Sequence, residues 1–500
     1  MSRMKRISAL LLLFASCALP TTSAQAQTTS QIPGNWQQVP VPPLPAFHPQ
    51  EPTRFVLPNG MIIFLQPDHE LPLISGSALV HGGARLEPAD KAGLLDIYGD
   101  VWRTGGTTAR TGDQLDEFLE NLAAKVETGN GMDSTSISFD CLKADFDPVF
   151  QVFLELLRQP AFREDKIMLA KRQMATGIAR RNDDVGEIAA REARFLAYGK
   201  QNPYARIPEF ATVAAVTRRD LVQWHERYVH PNNIILGIVG DFDPQAMEAR
   251  LRQAFGSWEK AAVPTSPEVQ FREPKPGYYF IPKEDVNQSS IRMVALGTTR
   301  RNPDYYAIEV LNELLSGGFG SRLFNTLRSQ LGLAYSVGGG IGTTYDHPGI
   351  QTFGITTKSA TTAESVRALD KELQKLLTSS PPTQDELQRA RDAMLNRFIF
   401  NFDTPDKVLG EKMRYEFYGY PADFLERYRG GIEKVTVADL SRVAQKYIHP
   451  SQFAVLIVGN PGEVSDQLKS LGQVTTIDIA IPPPPNVAPA AGNRPSQSKP

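Results

Sequence analysis

At 500 residues the chain is too long for a single hydrophobic core and suits two domains of about 200 residues each. With 41% hydrophobic and 22% charged residues its composition is that of an ordinary globular protein. The formal net charge is −2 with no basic block, which gives neither nucleic acid nor an anionic membrane surface an electrostatic footprint.

The N-terminus reads as an address. Arg3, Lys5 and Arg6 precede an apolar run over residues 7–19 that is too short to span a bilayer, and Ala24-Gln25-Ala26 fits the small-x-small rule of a signal peptidase site. Residues 1–26 are therefore expected to be a signal peptide and the protein to be periplasmic. Secretion and lipid anchoring at Cys17, which follows Phe14-Ala-Ser, are the alternatives. Cys141 is the only other cysteine, so no intramolecular disulfide is expected once the leader is removed. It ends the alternating run Ser134-Thr-Ser-Ile-Ser-Phe-Asp-Cys-Leu, which places a thiol in a buried strand rather than in a nucleophilic site.

Residues 27–50, with Pro40-Val-Pro-Pro-Leu-Pro45, read as an extended lead-in. The first domain, 51–259, opens with two strands around Pro58-Asn59-Gly60 and a further strand over 74–81. Helical periodicity follows over 113–124, 148–158, 164–181 and 188–198, before a helix bearing Asp220 and a strand over 234–240. A proline-rich stretch over 260–276 reads as a linker. The second domain, 277–466, repeats the scheme. It has strands over 278–281 and 290–296, a helix over 303–315, a Gly-rich turn, helices over 363–377 and 384–398, then a closing helix and strand. Residues 482–500 form a Pro-rich tail expected to be disordered.

The repetition is visible directly. Residues 216–240, from Val216-Thr-Arg-Arg-Asp220 through Tyr228-Val-His230-Pro231 to Ile-Val-Gly240, return 219 positions later as Val435-Thr-Val-Ala-Asp439 through Tyr447-Ile-His449-Pro450 to Ile-Val-Gly459, with ten of twenty-five positions identical. A weaker echo at an offset of 220 relates Asp165, Ala170 and Met174 to Asp385, Ala390 and Met394. The expected fold class is α+β, in two homologous halves, each a mainly antiparallel sheet with helices on one face.

The first half carries Val80-His-Gly-Gly-Ala-Arg-Leu-Glu-Pro-Ala-Asp-Lys-Ala-Gly93-Leu-Leu-Asp96-Ile-Tyr-Gly99-Asp100-Val-Trp-Arg-Thr-Gly-Gly-Thr107. This segment resembles the pitrilysin/insulinase family of zinc peptidases, in which His-x-x-Glu-His follows the Gly-Leu. There the two imidazoles share one helix face and one zinc, with the Glu as general base. The helix persists here as an apolar stripe of Leu94, Leu95, Tyr98, Val101 and Trp102, with Asp96, Gly99, Asp100 and Arg103 opposite. Asp96, Gly99 and Asp100 stand at the degenerate metal positions. The family's third ligand, about eighty residues on, falls at Thr176 or Gly177. No metal is expected in this chain. The Asp96/Asp100 pair alone supplies too few oxygen ligands for a divalent cation, although an autonomous hydrolase built on that pair is a third reading.

His225-Glu226-Arg-Tyr-Val-His230 is a decoy for the thermolysin-type motif. Its histidines are five apart, about 140° around a helix, and His230 recurs as His449 while His225 becomes Ala444. His48, His69, His81 and His347 are isolated, and no hydrolase elbow, P-loop or dinucleotide glycine pattern is present.

The second half carries Gly317-Gly-Phe-Gly-Ser-Arg322-Leu-Phe-Asn-Thr-Leu-Arg328-Ser-Gln-Leu-Gly332-Leu-Ala-Tyr335-Ser-Val337. The spacing predicts a helix with an apolar stripe of Leu323, Phe324, Leu327 and Leu331, ended by Gly332, with Tyr335 at the start of a strand. This segment also resembles the same family, where an Arg and a Tyr seven residues apart face the zinc from the second domain. The resemblance implies that Arg328 holds a substrate carbonyl and that Tyr335 stabilises the oxyanion, both as substrate-binding and catalytic residues. Some family members are heterodimers with the zinc ligands on one chain and the Arg/Tyr pair on the other. The chain thus resembles the zinc-free subunit, inactive alone, which encloses a peptide chamber with a homologous zinc-bearing partner and acts on unfolded peptides added to a sheet edge. The alternative is a non-catalytic peptide-binding or scaffold protein of the same fold.

Overall fold

The computed structural model describes residues 49–485, so the signal peptide, Cys17, His48, nearly all of the lead-in and the tail from 486 onward lie outside the described residues. The first half supplies β1 (Thr53–Val56), β2 (Ile62–Pro67), β3 (Leu73–His81), β4 (Lys125–Asn130), β5 (Ser134–Leu142) and β6 (Ile234–Gly240). Its helices are α1 (Leu94–Thr104), α2 (Gly112–Asn121), α3 (Phe146–Arg158), α4 (Glu164–Arg180), α5 (Val185–Tyr198), α6 (Phe210–Ala215), α7 (Arg218–Tyr228) and α8 (Pro244–Phe255). No helix or strand lies between Phe255 and Gly277. The second half supplies β7 (Gly277–Pro282), β8 (Gln288–Leu296), β9 (Thr298–Thr299), β10 (Ser336–Gly340), β11 (Thr343–Thr344), β12 (Ile350–Lys358), β13 (Ala454–Gly459) and β14 (Val474–Thr476). Its helices are α9 (Tyr305–Ser316), α10 (Thr362–Leu377), α11 (Gln384–Phe400), α12 (Pro405–Tyr418), α13 (Phe424–Lys434), α14 (Val437–Tyr447) and α15 (Pro461–Lys469).

Each half builds a six-stranded sheet, ordered β1-β2-β6-β3-β5-β4 and β10-β12-β8-β13-β7-β14. Read from opposite ends, five strands correspond with the same directions: β2/β7 and β6/β13 form the parallel pair, and the next three pairings are antiparallel in both. Only the outermost strand differs, being the antiparallel β1 in one sheet and the parallel β14 in the other. The fold is α+β, since most pairings in both sheets are antiparallel.

One face of each sheet carries its own helices. Aromatic packing dominates the first core, where Phe139 on β5 meets Phe146, Phe150 and Phe153 of α3 at centroid distances of 5.2–6.0 Å. The opposite face departs from the expectation of helices on one side only. Helix α5 crosses to the second sheet, laying Ile188, Ala189, Ala193 and Ala197 on Ile281, Val294, Leu456 and Val458. Helix α12 returns the contact, laying Leu409 and Met413 on Phe64 and Ile235. The closing strands Ile234-Ile-Leu-Gly-Ile-Val-Gly240 and Ala454-Val-Leu-Ile-Val-Gly459 are continuously apolar because both of their faces are covered. Gly237 is bare for a packing reason, since a Cβ there would stand 2.2 Å from Met413 Sδ. Each fully buried side chain of this kind contributes about 2 kcal/mol, so the exchanged helices bind the halves into one unit.

Candidate functional site

The degenerate metal helix α1 starts at Gly93, which has φ +96° and whose amide, with that of Leu95, donates to the Glu87 carboxylate at 3.0 and 3.1 Å. A side chain at 93 would strike Met174 and Pro208, so glycine is required for both shape and space. Burial pushes the Glu87 carboxyl up to about 7. Leu94, Leu95, Tyr98, Val101 and Trp102 are all buried, and Trp102 Nε1 donates to the Leu156 carbonyl at 2.8 Å.

On the other face Asp96 and Asp100 are exposed. Asn130 Nδ2 donates to Asp96 at 2.9 Å, and desolvation raises the Asp100 carboxyl from its ordinary value. Gly99, where the family has its Glu, is buried under β4, and a Cβ would stand 2.7 Å from Asn130 Oδ1. Arg103 departs from the polar face assigned to it. It is buried, donating from Nε to the Val126 carbonyl at 2.8 Å and from Nη2 to Asp116 at 2.6 Å. A long side chain can close over a helix edge while its charge finds a partner. On α4, Thr176 and Gly177 are exposed, and the Thr176 hydroxyl donates to the Arg172 carbonyl. Two carboxylates and two positions without ligand groups do not fit zinc, and no group of three or more His, Cys, Asp or Glu suited to a metal occurs among the described residues.

The decoy histidine is part of the core. His225 Nε2 lies 3.1 Å from the Leu157 carbonyl, which can only accept, so Nδ1 accepts from the Tyr98 hydroxyl at 2.9 Å. Burial pushes His225 down to about 4, leaving it neutral beside Tyr98, Trp102 and Phe162. His449 Nε2 meets the Lys446 carbonyl at 3.1 Å, a local bond at a helix end. Cys141 is buried against the Ile74 carbonyl, and burial pushes its thiol up to about 12.

The counterpart of α1 in the second half was not apparent from the sequence. Helix α9 follows β8 as α1 follows β3, and its buried positions 307, 308, 310, 311, 314 and 315 repeat 94, 95, 97, 98, 101 and 102. Asp96, Gly99 and Asp100 thereby correspond to Glu309, Asn312 and Glu313. All three are engaged internally. Thr343 donates to Glu309 at 2.8 Å, and Asn312 donates to the Ile341 carbonyl at 3.0 Å while accepting from its amide at 2.8 Å. Arg397 forks onto Glu313 at 2.7 and 3.2 Å. The spacing of apolar residues over 303–315 was the available signal, but no residue identity accompanies it.

Arg328 and Tyr335 are brought together. The predicted helix forms, but as a π-helical segment over Phe324–Gln330, with the Leu331 amide donating five residues back to Thr326 at 3.0 Å. The wider turn alters the predicted stripe. Leu323 and Leu327 are buried, whereas Leu331 is exposed. Gly332 has φ +65°, and the amides of Leu333 and Ala334 both return to the Leu327 carbonyl. Tyr335 is pinned by its amide to the Thr356 carbonyl at 2.8 Å, directly before β10. Arg328 donates to the Tyr335 carbonyl, and its guanidinium lies 5.1 Å from the Phe324 ring centroid and 5.9 Å from that of Tyr335. The Tyr335 side chain is 68% exposed and its hydroxyl bonds to no described residue. Strand β10 is the sheet's edge, paired only with β12, so one row of its backbone groups is open among the described residues.

A sequence profile described as "Insulinase (Peptidase family M16)" matches residues 74–202, and one described as "Peptidase M16 inactive domain" matches residues 215–394. A non-peptidase homolog, YmxG, of Helicobacter pylori is 23% identical over 408 residues, covering 80% of this chain and 91% of that protein. An uncharacterized zinc protease of Rickettsia felis is 21% identical, covering 69% and 82%. Among solved structures, a peptidase M16 inactive domain from Pseudomonas fluorescens superposes with a TM-score of 0.74 at 22% identity, covering 82% of this chain and 98% of that one. A protease from Helicobacter pylori gives 0.70 at 20% identity, covering 82% and 100%. Together, the two profiles matched in chain order and the duplicated sheet establish that this chain belongs to the insulinase (M16) peptidase family.

Proposed function

We propose that this chain is the zinc-free subunit of a periplasmic M16 peptidase, joining a homologous His-x-x-Glu-His chain to cleave unfolded peptides. The observation that carries this reading is the Arg328/Tyr335 geometry. An exposed phenol with a free hydroxyl stands at the mouth of an open edge strand, beside a guanidinium clamped to the same backbone. A peptide laid along β10 would present carbonyls to both groups. Arg328 donates to one carbonyl and fixes the register. Tyr335 donates to the carbonyl under attack, where a preorganised donor is worth about 3 kcal/mol as charge develops on oxygen. The zinc and the general base belong to the partner chain. The leader read over residues 1–26 supports export.

In the purified pair, Tyr335→Phe and Arg328→Ala are each expected to lower kcat/KM on an unfolded peptide by about 100-fold while the heterodimer still forms. Unchanged cleavage by both variants overturns the reading. Peptide binding with no stimulation of the zinc-bearing chain favours a peptide-binding or scaffold protein of the same fold.

A further inference from the structure

A cavity of about 490 Å³ opens where the end of α4 meets the start of α5, with Met174, Ile178, Ile207 and Pro208 among its lining residues. Gly177 also lines it, and a Cβ at that position would meet nothing within 4 Å. Gly177 is one of the two positions at which the family's third metal ligand would fall, and helix α4, which lines the cavity, also packs against α1.

Four arginines surround the cavity and three are satisfied. Arg180 donates to Asp183, Arg181 to Glu209 and the Pro208 carbonyl, and Arg191 to Glu192, Asn182 and the Arg181 carbonyl. Arg194 is different. Its Nε is buried without a hydrogen-bond partner, and the side chain makes no hydrogen bond or ion pair with any described residue. Burial, and next the neighbouring Arg191, hold its guanidinium below the ordinary value. Asp184 is committed to the Glu187 amide as the cap of α5, and Glu187 lies two turns from Arg194, about 10 Å along the axis, too far to neutralise it. A cation withdrawn from water without a counterion is costly, and the adjoining walls are apolar.

We propose that this cavity binds the C-terminal residue of a peptide, with an apolar side chain against Met174, Ile178 and Ile207 and the α-carboxylate on Arg194. The proposal rests on the reading above only in taking the ligand to be a peptide; it needs neither the partner chain nor Arg328 and Tyr335. A free carboxylate is what peptide hydrolysis creates, so the site would hold a product or an already trimmed substrate.

The test uses the isolated chain and a fluorescein-labelled pentapeptide ending in leucine, as the free acid and as the C-terminal amide, read by anisotropy. The free acid is expected to bind at least about ten times more tightly than the amide, and Arg194→Gln is expected to erase that difference. Gly177→Phe, whose Cβ would meet nothing within 4 Å at this cavity-lining position, is expected to abolish binding of both peptides while circular dichroism and melting stay unchanged. Equal affinity for acid and amide in the unmodified chain, discrimination that survives Arg194→Gln, or no binding of either peptide up to about 1 mM overturns the proposal. These variants leave Arg328 and Tyr335 untouched, so cleavage by the heterodimer reports separately on the function proposed above.

Discussion

Helices α1 and α9 occupy the same place in two sheets of the same topology, yet they spend their polar faces differently. On α1 the two acids face solvent and the position between them is an empty glycine under Asn130. On α9 the equivalent Glu309, Asn312 and Glu313 are bonded to Thr343, Ile341 and Arg397. Both helices keep the same apolar spacing, because that face must fill a close-packed core, whereas a polar face is constrained only by its partners. Asp96 and Asp100 on α1 are therefore open to change without loss of the fold, whereas Gly99 and the bonded residues of α9 are not.

The comparison can be broken at its root by separating the halves. Met413→Asp places a charge against Phe64 and Ile235, and is expected to cost more than about 3 kcal/mol and to lower the melting temperature of both halves together. Independent melting of the two halves in calorimetry would contradict this.

Next in size is a difference in pH response at the two helix starts. Glu87, at the start of α1, is raised from 4.5 to about 7, so the folded state holds its proton longer than the unfolded chain. Its contribution is present below about 4.5 and is lost as pH rises toward 7, by about 3 kcal/mol. Glu87→Gln is expected to remove that slope in urea titrations across the same range. Asp304, at the start of α9, is held down at about 2 despite its burial by Lys446, Arg442 and Tyr447. Its contribution is present above 3.8 and lost as pH falls toward 2. After screening of its exposed partners it amounts to about 1–2 kcal/mol, and Asp304→Asn should flatten that acid limb.

A direct exchange sharpens the contrast between the polar faces. Asn312→Ala removes two bonds to Ile341 and is expected to cost about 1–2 kcal/mol. Asp96→Ala should stay within about 0.5 kcal/mol.

The smallest expected effect is a null one. The triple change Asp96→His, Gly99→Glu and Asp100→His rebuilds the motif, yet the chain should bind no stoichiometric zinc by calorimetry. Asn130 occupies the space that a side chain at 99 needs, and Thr176 and Gly177 supply no third ligand. Stoichiometric zinc binding would show that β4 yields more readily than its contacts indicate.

The duplication was legible because residues 216–240 and 435–459 each fold as a capped helix, α7 or α14, leading into an interior strand, β6 or β13, and both the caps (Thr217/Asp220 and Thr436/Asp439) and the buried strands restrict the sequence. Asp96, Gly99 and Asp100 fell on one helix face as their spacing implied, and Arg328 and Tyr335 were brought together. What escaped has physical reasons. A helical wheel places Arg103 on the polar face because it ignores the reach of a guanidinium toward Val126 and Asp116. Leu331 leaves the apolar stripe that α-helical spacing gives it because a π-turn, which has no reliable residue signature, shifts every later position around the axis. The α1/α9 equivalence lay in periodicity alone, and the crossing of α5 and α12 could not be read from amphipathic patterns that name no partner.

That crossing has a consequence for the connection between the halves. Each sheet is completed by a helix encoded in the other half, so neither half alone would cover its own strands. A cut within residues 256–276 would leave two fragments that hold one another through apolar surface, and a gene split there would have to express both pieces to keep either. The peptide link between the halves raises their effective concentration, but the exchanged helices make them a single folding unit.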